Sequence, residues 1–128
     1  MKQILSAVPI VRASNLSAAM DYYCRVLGFT KDGVYKHDPE AADGYAFLSR
    51  DGVQLHLSSH AGDGAFGSTV YFYVESVDAL HEEWRAAGAE ILYDPTAQTQ
   101  EPGNQAWGMR ELYVRDLDGN VLRFGQRL

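Results

Sequence analysis

The stretch AVPIVRASNLSAAMDYYCRVLGF, residues 7–29, has a counterpart in TVYFYVESVDALHEEWRAAGAEI, residues 69–91. In both stretches an apolar, β-branched run leads into an amphipathic segment that ends at a glycine. Asn15 and Ser76, which suit the first capping position of a helix, are 61 positions apart. The glycines that end the two segments are 60 positions apart. This constant offset indicates a tandem duplication, and it predicts a fold made of two similar modules.

The rest of each module reads as three strands. Turn-forming residues separate short apolar runs after each helix, so each module is predicted to have the order strand, helix and three strands, an α+β fold. The predicted elements are strand 5–12, helix 15–27 and strands 29–34, 45–48 and 53–57 in the first module, and strand 70–74, helix 76–87 and strands 91–92, 109–114 and 121–124 in the second. The predicted boundaries are 1–60 for the first module, 61–68 for the linker and 69–128 for the second.

Length and composition fit one compact domain. The chain has 128 residues, a formal net charge of −6 and one cysteine, Cys24. One cysteine allows no internal disulfide. Its scattered basic residues argue against nucleic acid as a partner, because phosphate binding requires clustered Lys and Arg. The N-terminal apolar run is too short to span a membrane, and Pro9 interrupts it. We therefore expect a cytoplasmic protein without membrane or nucleic-acid partners.

Both the doubled βαβββ pattern and the ending WGMRELYVRDLDGNVLRF, residues 107–124, resemble the vicinal oxygen chelate superfamily. This superfamily contains glyoxalases, bleomycin-resistance proteins and dioxygenases. The resemblance implies the glyoxalase/bleomycin-resistance fold, in which two curved half-barrel sheets enclose a ligand cavity. In the antibiotic-binding members the halves of a cavity come from two chains, so a strand-swapped homodimer is expected here.

The resemblance also implies four positions for metal ligands. They correspond to Val8, His56, Thr69 and Arg123. Valine offers no lone pair and arginine is a permanent cation, so this set is not expected to bind a metal, and we predict no cofactor. His56 has three open roles: a wall of the ligand groove, a structural histidine, or a metal ligand with an unidentified partner.

Strand alternation predicts which side chains line the cavity. The predicted ligand-binding residues are Arg12, Tyr45, Phe47, His56, Tyr71, Tyr73, Trp107, Met109, Glu111 and Tyr113. Aromatic faces stack on planar groups and attract cations, and Glu111 could add a charge-assisted hydrogen bond. The alternative is that the tyrosines are ordinary strand residues at a dimer interface.

No nucleophile or phosphate-binding loop is recognisable. Glu111 and His56 could in principle act as base and acid, but without a metal the superfamily's means of stabilising an oxyanion is missing, so no catalytic residue is predicted. The favoured hypothesis is a metal-independent homodimer of the bleomycin-resistance type, which sequesters an aromatic or cationic antibiotic in a groove between modules. Two alternatives stay open. One is a metal-dependent lyase, isomerase or dioxygenase of the same superfamily, and the other is an accessory protein whose groove binds a peptide or partner protein.

Overall fold

The computed structural model describes all 128 residues and contains two sheets. The elements of the first module are β1 (Ile10–Arg12), α1 (Leu16–Asp21), a π-helical turn (Tyr22–Val26), β2 (Thr30–Tyr35), β3 (Tyr45–Arg50) and β4 (Val53–Ser58). Helix α1 continues directly into the π-helical turn. The first sheet has the strand order β1-β4-β3-β2, in which β1 and β4 are parallel and the other pairs are antiparallel.

The second sheet repeats this plan. The elements of the second module are β5 (Thr69–Tyr73), α2 (Val77–Ala87), β6 (Glu90–Ile91), β7 (Gly103–Asn104), β8 (Met109–Arg115) and β9 (Val121–Arg127). The strand order is β5-β9-β8-β6, again with the first pair parallel, and the short additional strand β7 pairs with β8. The predicted α+β class is therefore confirmed. Neither helix is long and apolar enough to cross a membrane.

The helices begin where the sequence predicts. The Asn15 side chain accepts a hydrogen bond from the Ala18 amide at 3.0 Å, and the Ser76 side chain accepts one from the Ala79 amide at 3.2 Å. These caps satisfy amides that have no partner within the helix. At the end of α2, Gly88 adopts a φ of 86°, a left-handed conformation that glycine tolerates best.

One core joins the two sheets through their helix-bearing faces. It contains 19 buried hydrophobic residues drawn from both sheets and both helices. Trp84 of α2 is 1% exposed and donates a hydrogen bond to the Leu27 carbonyl oxygen at 3.2 Å. Phe29 packs edge-on against Phe72 of the second sheet. Because the helix-bearing faces meet in this core, each sheet keeps its opposite face, called here its open face, toward solvent.

A turn between β8 and β9 ties the two halves together. The buried Asp116 carboxylate accepts hydrogen bonds from the Tyr23 hydroxyl at 2.7 Å and from the Asn120 side-chain amide at 2.9 Å. It also accepts from the backbone amides of Asp118 and Asn120. The Asn120 amide donates in addition to the carbonyl oxygen of Arg12 in β1. Residues 115–120 therefore form the turn between β8 and β9 and also connect the second module to the first.

Several predicted element boundaries were wrong. The first strand begins at Ile10, not Leu5, and Val8 lies outside it, because Pro9 has no amide to donate and residues 1–7 are exposed. The segment 93–108, in which no strand was predicted, contains β7, and the last strand continues beyond Phe124 to Arg127.

Candidate functional site

The open face of the first sheet carries a small aromatic cluster. Phe47 and His56 are directly opposite each other on β3 and β4, and their ring centroids are 4.8 Å apart. Tyr45 lies 5.2 Å from both rings, and its hydroxyl forms a 2.8 Å hydrogen bond with His56 Nδ1. Partial burial, reinforced by the nearby Asp63 carboxylate, raises the pKa of Tyr45. Phe47 is 38% exposed, so this ordered surface is accessible to a flat ligand.

On the second sheet, the open face is organised around Glu111. This carboxylate is 2% exposed and lies on β8. One oxygen accepts hydrogen bonds from the Tyr71 hydroxyl at 2.5 Å and the Trp107 indole at 3.1 Å, and the other accepts from the Tyr113 hydroxyl at 2.6 Å. All three donors belong to aromatic side chains. Glu111 therefore fixes the orientation of three rings, one of which, Trp107, is 58% exposed.

These contacts shift the ionisation of the groups involved. Burial opposes the charge on Glu111, but hydrogen bonds from Tyr113, Tyr71 and Trp107 together lower its pKa below the usual range. Burial, together with the hydrogen bond to Glu111, raises the pKa of both Tyr71 and Tyr113. At neutral pH the centre of this face is therefore a carboxylate surrounded by neutral donors.

A glycine makes this arrangement possible. Gly125 on β9 lies opposite Glu111 in the strand register, and Tyr71 reaches across it from β5. A Cβ atom at position 125 would collide with the Tyr71 hydroxyl and would lie 2.9 Å from the Met109 Cε. Gly125 was not predicted from the sequence as a site residue, because the last strand was ended at Phe124.

Two arginines lie over tyrosines on the same face. The Arg123 guanidinium carbon is 5.1 Å from the Tyr113 ring centroid, and that of Arg127 is 4.5 Å from the Tyr73 ring centroid. Neither arginine forms an ion pair. Arg127 was also missed from the sequence, although alternation from Arg123 along a longer strand would have placed it on this face.

Within one chain, the predicted binding residues form two separate groups. Tyr45, Phe47 and His56 form the first cluster, and Tyr71, Tyr73, Trp107, Met109, Glu111 and Tyr113 form the second. No ring contact or hydrogen bond joins one cluster to the other. Arg12 belongs to neither, because its guanidinium lies over the Phe66 ring at 4.8 Å.

The four positions at which the resemblance implies metal ligands do not fit a divalent cation. Val8 has no donor atom, His56 Nδ1 is engaged with Tyr45, and Arg123 lies over Tyr113. No group of three or more His, Cys, Asp or Glu side chains lies close enough together to hold a metal ion. These four positions therefore do not form a metal site.

A cavity of about 620 Å³ lies beside α2 and reaches the second aromatic cluster. It is lined by residues of the helix-bearing side, including Phe29, Val53 and Leu80, and also by Tyr73. Arg50 and Glu83, which form a 2.7 Å ion pair, also line it. The sequence did not predict this cavity.

Comparison with known proteins gives a consistent picture. A family model described as "Glyoxalase superfamily protein" matches residues 2–128. A bleomycin resistance protein from Geobacillus stearothermophilus is 24% identical over 143 residues, with 98% of each chain covered. The bleomycin-binding protein of Streptomyces verticillus, solved in complex with copper(II)-bleomycin, is 31% identical over the full length of both chains, with a TM-score of 0.74.

A more distant structure shares the fold alone. TnmS3, an antibiotic binding protein from Streptomyces sp. CB03234, is 20% identical with a TM-score of 0.72, and the match covers 99% of this chain and all of the other. The resemblance seen in the doubled modules and the closing motif is thus confirmed along the whole length. Because the family model and the similarity to bleomycin-resistance proteins both extend over nearly the whole chain, this chain belongs to the glyoxalase superfamily, also known as the vicinal oxygen chelate superfamily.

Proposed function

We propose that this chain is an antibiotic-binding protein of the bleomycin-resistance type, which sequesters an aromatic antibiotic in the cytoplasm. The observation that carries the proposal is the Glu111 network, because it holds Tyr71, Trp107 and Tyr113 in fixed orientations on an open face. Rings ordered before binding lose little conformational entropy when a planar ligand stacks on them. The bleomycin-binding relative, 31% identical over its whole length, supports the same function.

Binding alone accounts for such a function. Each favourable aromatic contact contributes roughly 0.5–1.5 kcal/mol beyond the burial of apolar area. Three such contacts contribute about 1.5–4.5 kcal/mol of the about 8.2 kcal/mol that a micromolar affinity requires, and the burial of apolar ligand surface contributes the rest. Sequestration removes free drug without a bond being broken, so the proposal requires no metal, cofactor or catalytic residue.

We further propose that the protein acts as a homodimer, in which the first-sheet cluster of one copy faces the second-sheet cluster of the other. Both clusters expose large aromatic side chains, with Phe47 of the first 38% exposed and Tyr73 of the second 67% exposed, and they do not touch within one chain. A second copy would enclose two grooves by symmetry. The exposed segment before Ile10, in which Ile4 and Leu5 are 81% and 80% exposed, is the part that we propose exchanges between copies.

Titration with antibiotics tests the function. We would titrate the protein with bleomycin and with doxorubicin, a planar anthracycline, by calorimetry and by tryptophan fluorescence. Quenching reports chiefly on Trp107, since Trp84 is only 1% exposed. We expect micromolar or tighter binding of at least one drug. The variant Tyr113→Leu should weaken that binding by about tenfold or more, equivalent to about 1.4 kcal/mol.

A matched control distinguishes drug binding at the second cluster from drug binding elsewhere on the protein surface. Tyr93 is 54% exposed and takes no part in either cluster, so Tyr93→Leu should leave drug affinity unchanged. Absence of heat and of quenching with both drugs would argue against the proposed function. Equal affinities for wild type and Tyr113→Leu would show that a drug binds elsewhere.

A further inference from the structure

The second open face presents two arginines that a ligand can reach. Arg123 and Arg127 are exposed, alternate along β9 and lie over Tyr113 and Tyr73. By contrast Arg115, near the edge of the same sheet, forms a 3.2 Å ion pair with Glu90. The guanidinium groups of Arg123 and Arg127 have no carboxylate partner, although the chain as a whole carries a net charge of −6.

Two carboxylates near Tyr113 are buried and already hydrogen-bonded, whereas Glu90 at the sheet edge is exposed and paired with Arg115. Glu111 is 2% exposed and accepts three hydrogen bonds from aromatic side chains. Asp94, the other carboxylate near Tyr113, is 3% exposed and accepts from the amides of Thr96 and Ala97 and from the Gln105 side chain. Neither carboxylate has an exposed oxygen with which to attract a cationic ligand.

A guanidinium that lies over a tyrosine ring keeps its N–H edge free. That edge matches the two oxygens of a carboxylate, sulfonate or phosphate group, and the same tyrosine can stack beside a ligand ring. On the basis of the antibiotic-binding function proposed above, we infer that the preferred ligand is an aromatic molecule with an anionic group, which Arg123 and Arg127 bind beside the ring. Such a ligand matches the aromatic alternative of the aromatic or cationic antibiotic predicted from the sequence.

Two probes that share the naphthalene ring system but carry opposite charges test the inference. At pH 7, 2-naphthoate is an anion and 2-naphthylmethylamine is a cation. We would measure the affinity of the protein for each by calorimetry and by ligand-observed NMR. We expect 2-naphthoate to bind at least about tenfold more tightly. Raising the salt concentration from about 50 to 500 mM should weaken 2-naphthoate binding selectively, since mobile ions screen exposed charges.

Variants test whether Arg123 and Arg127 cause the preference for the anionic probe. The double variant Arg123→Gln with Arg127→Gln should lose about tenfold or more in 2-naphthoate affinity and change 2-naphthylmethylamine affinity little. A second double variant, Arg123→Lys with Arg127→Lys, keeps the charge and should keep the anion preference at reduced affinity. The control is Arg85→Gln, which removes an exposed arginine on α2, outside both clusters, and should change neither affinity.

The inference is overturned if 2-naphthylmethylamine binds as tightly as 2-naphthoate, or if the glutamine double variant retains wild-type 2-naphthoate affinity. It is also overturned if neither naphthyl compound binds. The antibiotic titration tells this failure apart from failure of the proposed function. Binding of bleomycin or doxorubicin without a preference for the anionic probe would contradict only the inference about ligand charge. Absence of all binding would contradict both that inference and the proposed antibiotic-binding function.

Discussion

At the scale of single residues, Glu111 shows what alternation along a strand can and cannot predict. The pattern placed Glu111 and Tyr113 on the same face of a strand, and the structure agrees. It could not predict that the carboxylate would be buried and used by the protein's own aromatic side chains. The burial of this carboxylate depends on hydrogen bonds from Tyr71, which lies on β5, and from Trp107, which lies in the turn before β8.

The charge of Glu111 should stabilise the fold in a pH-dependent way. Because its pKa is lowered in the folded state, its contribution is complete above the unfolded value of about 4.3 and is lost as the pH falls through the folded value. Glu111→Gln should therefore reduce the free energy of unfolding by about 1.5–3 kcal/mol at pH 7. Urea unfolding of wild type and Glu111→Gln between pH 3 and 7, followed by circular dichroism, measures the difference in their unfolding free energies.

This difference in unfolding free energy should shrink below about pH 4. A difference independent of pH would contradict this role.

Gly125 offers a second test at this scale. Gly125→Ala should displace the Tyr71 hydroxyl and break its hydrogen bond to Glu111, at a cost of about 1–3 kcal/mol in unfolding free energy. Gly33 is the matched control, because a Cβ there meets only Phe47 at 3.7 Å, an ordinary contact. Thermal unfolding and drug titration of both variants measure the effect. Equal behaviour of the two alanine variants would show that the space above Gly125 is unimportant.

At the scale of elements, local signals predicted the helices better than the strands. Caps such as Asn15 and Ser76 act through neighbouring backbone amides, so they can be read from the sequence alone. Strand ends depend on partners far along the chain. The extension of β9 to Arg127 requires its pairing with Met109, which no local pattern reveals. The two site residues missed from the sequence, Gly125 and Arg127, lie in that extension.

The connection between the π-helical turn and the second module can be tested with two neighbouring tyrosines. The Tyr23 hydroxyl donates to the buried Asp116 carboxylate at 2.7 Å, whereas the Tyr22 hydroxyl donates to the Arg115 carbonyl oxygen at 3.0 Å. A hydrogen bond to a charged acceptor is the stronger one, so Tyr23→Phe should cost about 1.5–3 kcal/mol and Tyr22→Phe about 0.5–1.5 kcal/mol. Urea unfolding of both variants measures the costs. The reverse order would contradict the importance of the Asp116 turn.

At the scale of the whole molecule, the duplication made the architecture predictable. Two copies of one pattern at a constant offset predicted two similar sheets, and the sheets have the same strand order. The arrangement of the binding residues was less predictable, because their two clusters occupy separate sheets of one chain. If the groove forms between two copies, as we propose, its geometry depends on a second molecule as well as on local sequence.

Mixing two damaged variants tests most directly whether the two open faces bind the antibiotic together, one from each copy. Phe47→Ala damages the first-sheet cluster and Tyr113→Leu the second-sheet cluster, and each homodimer alone should bind drug weakly. After co-refolding at equal amounts, half of the dimers are mixed and each mixed dimer has one intact groove. Calorimetry with the antibiotic that binds wild type should then detect wild-type affinity in about one quarter of the grooves. Recovery of no wild-type sites would contradict a groove shared between two copies.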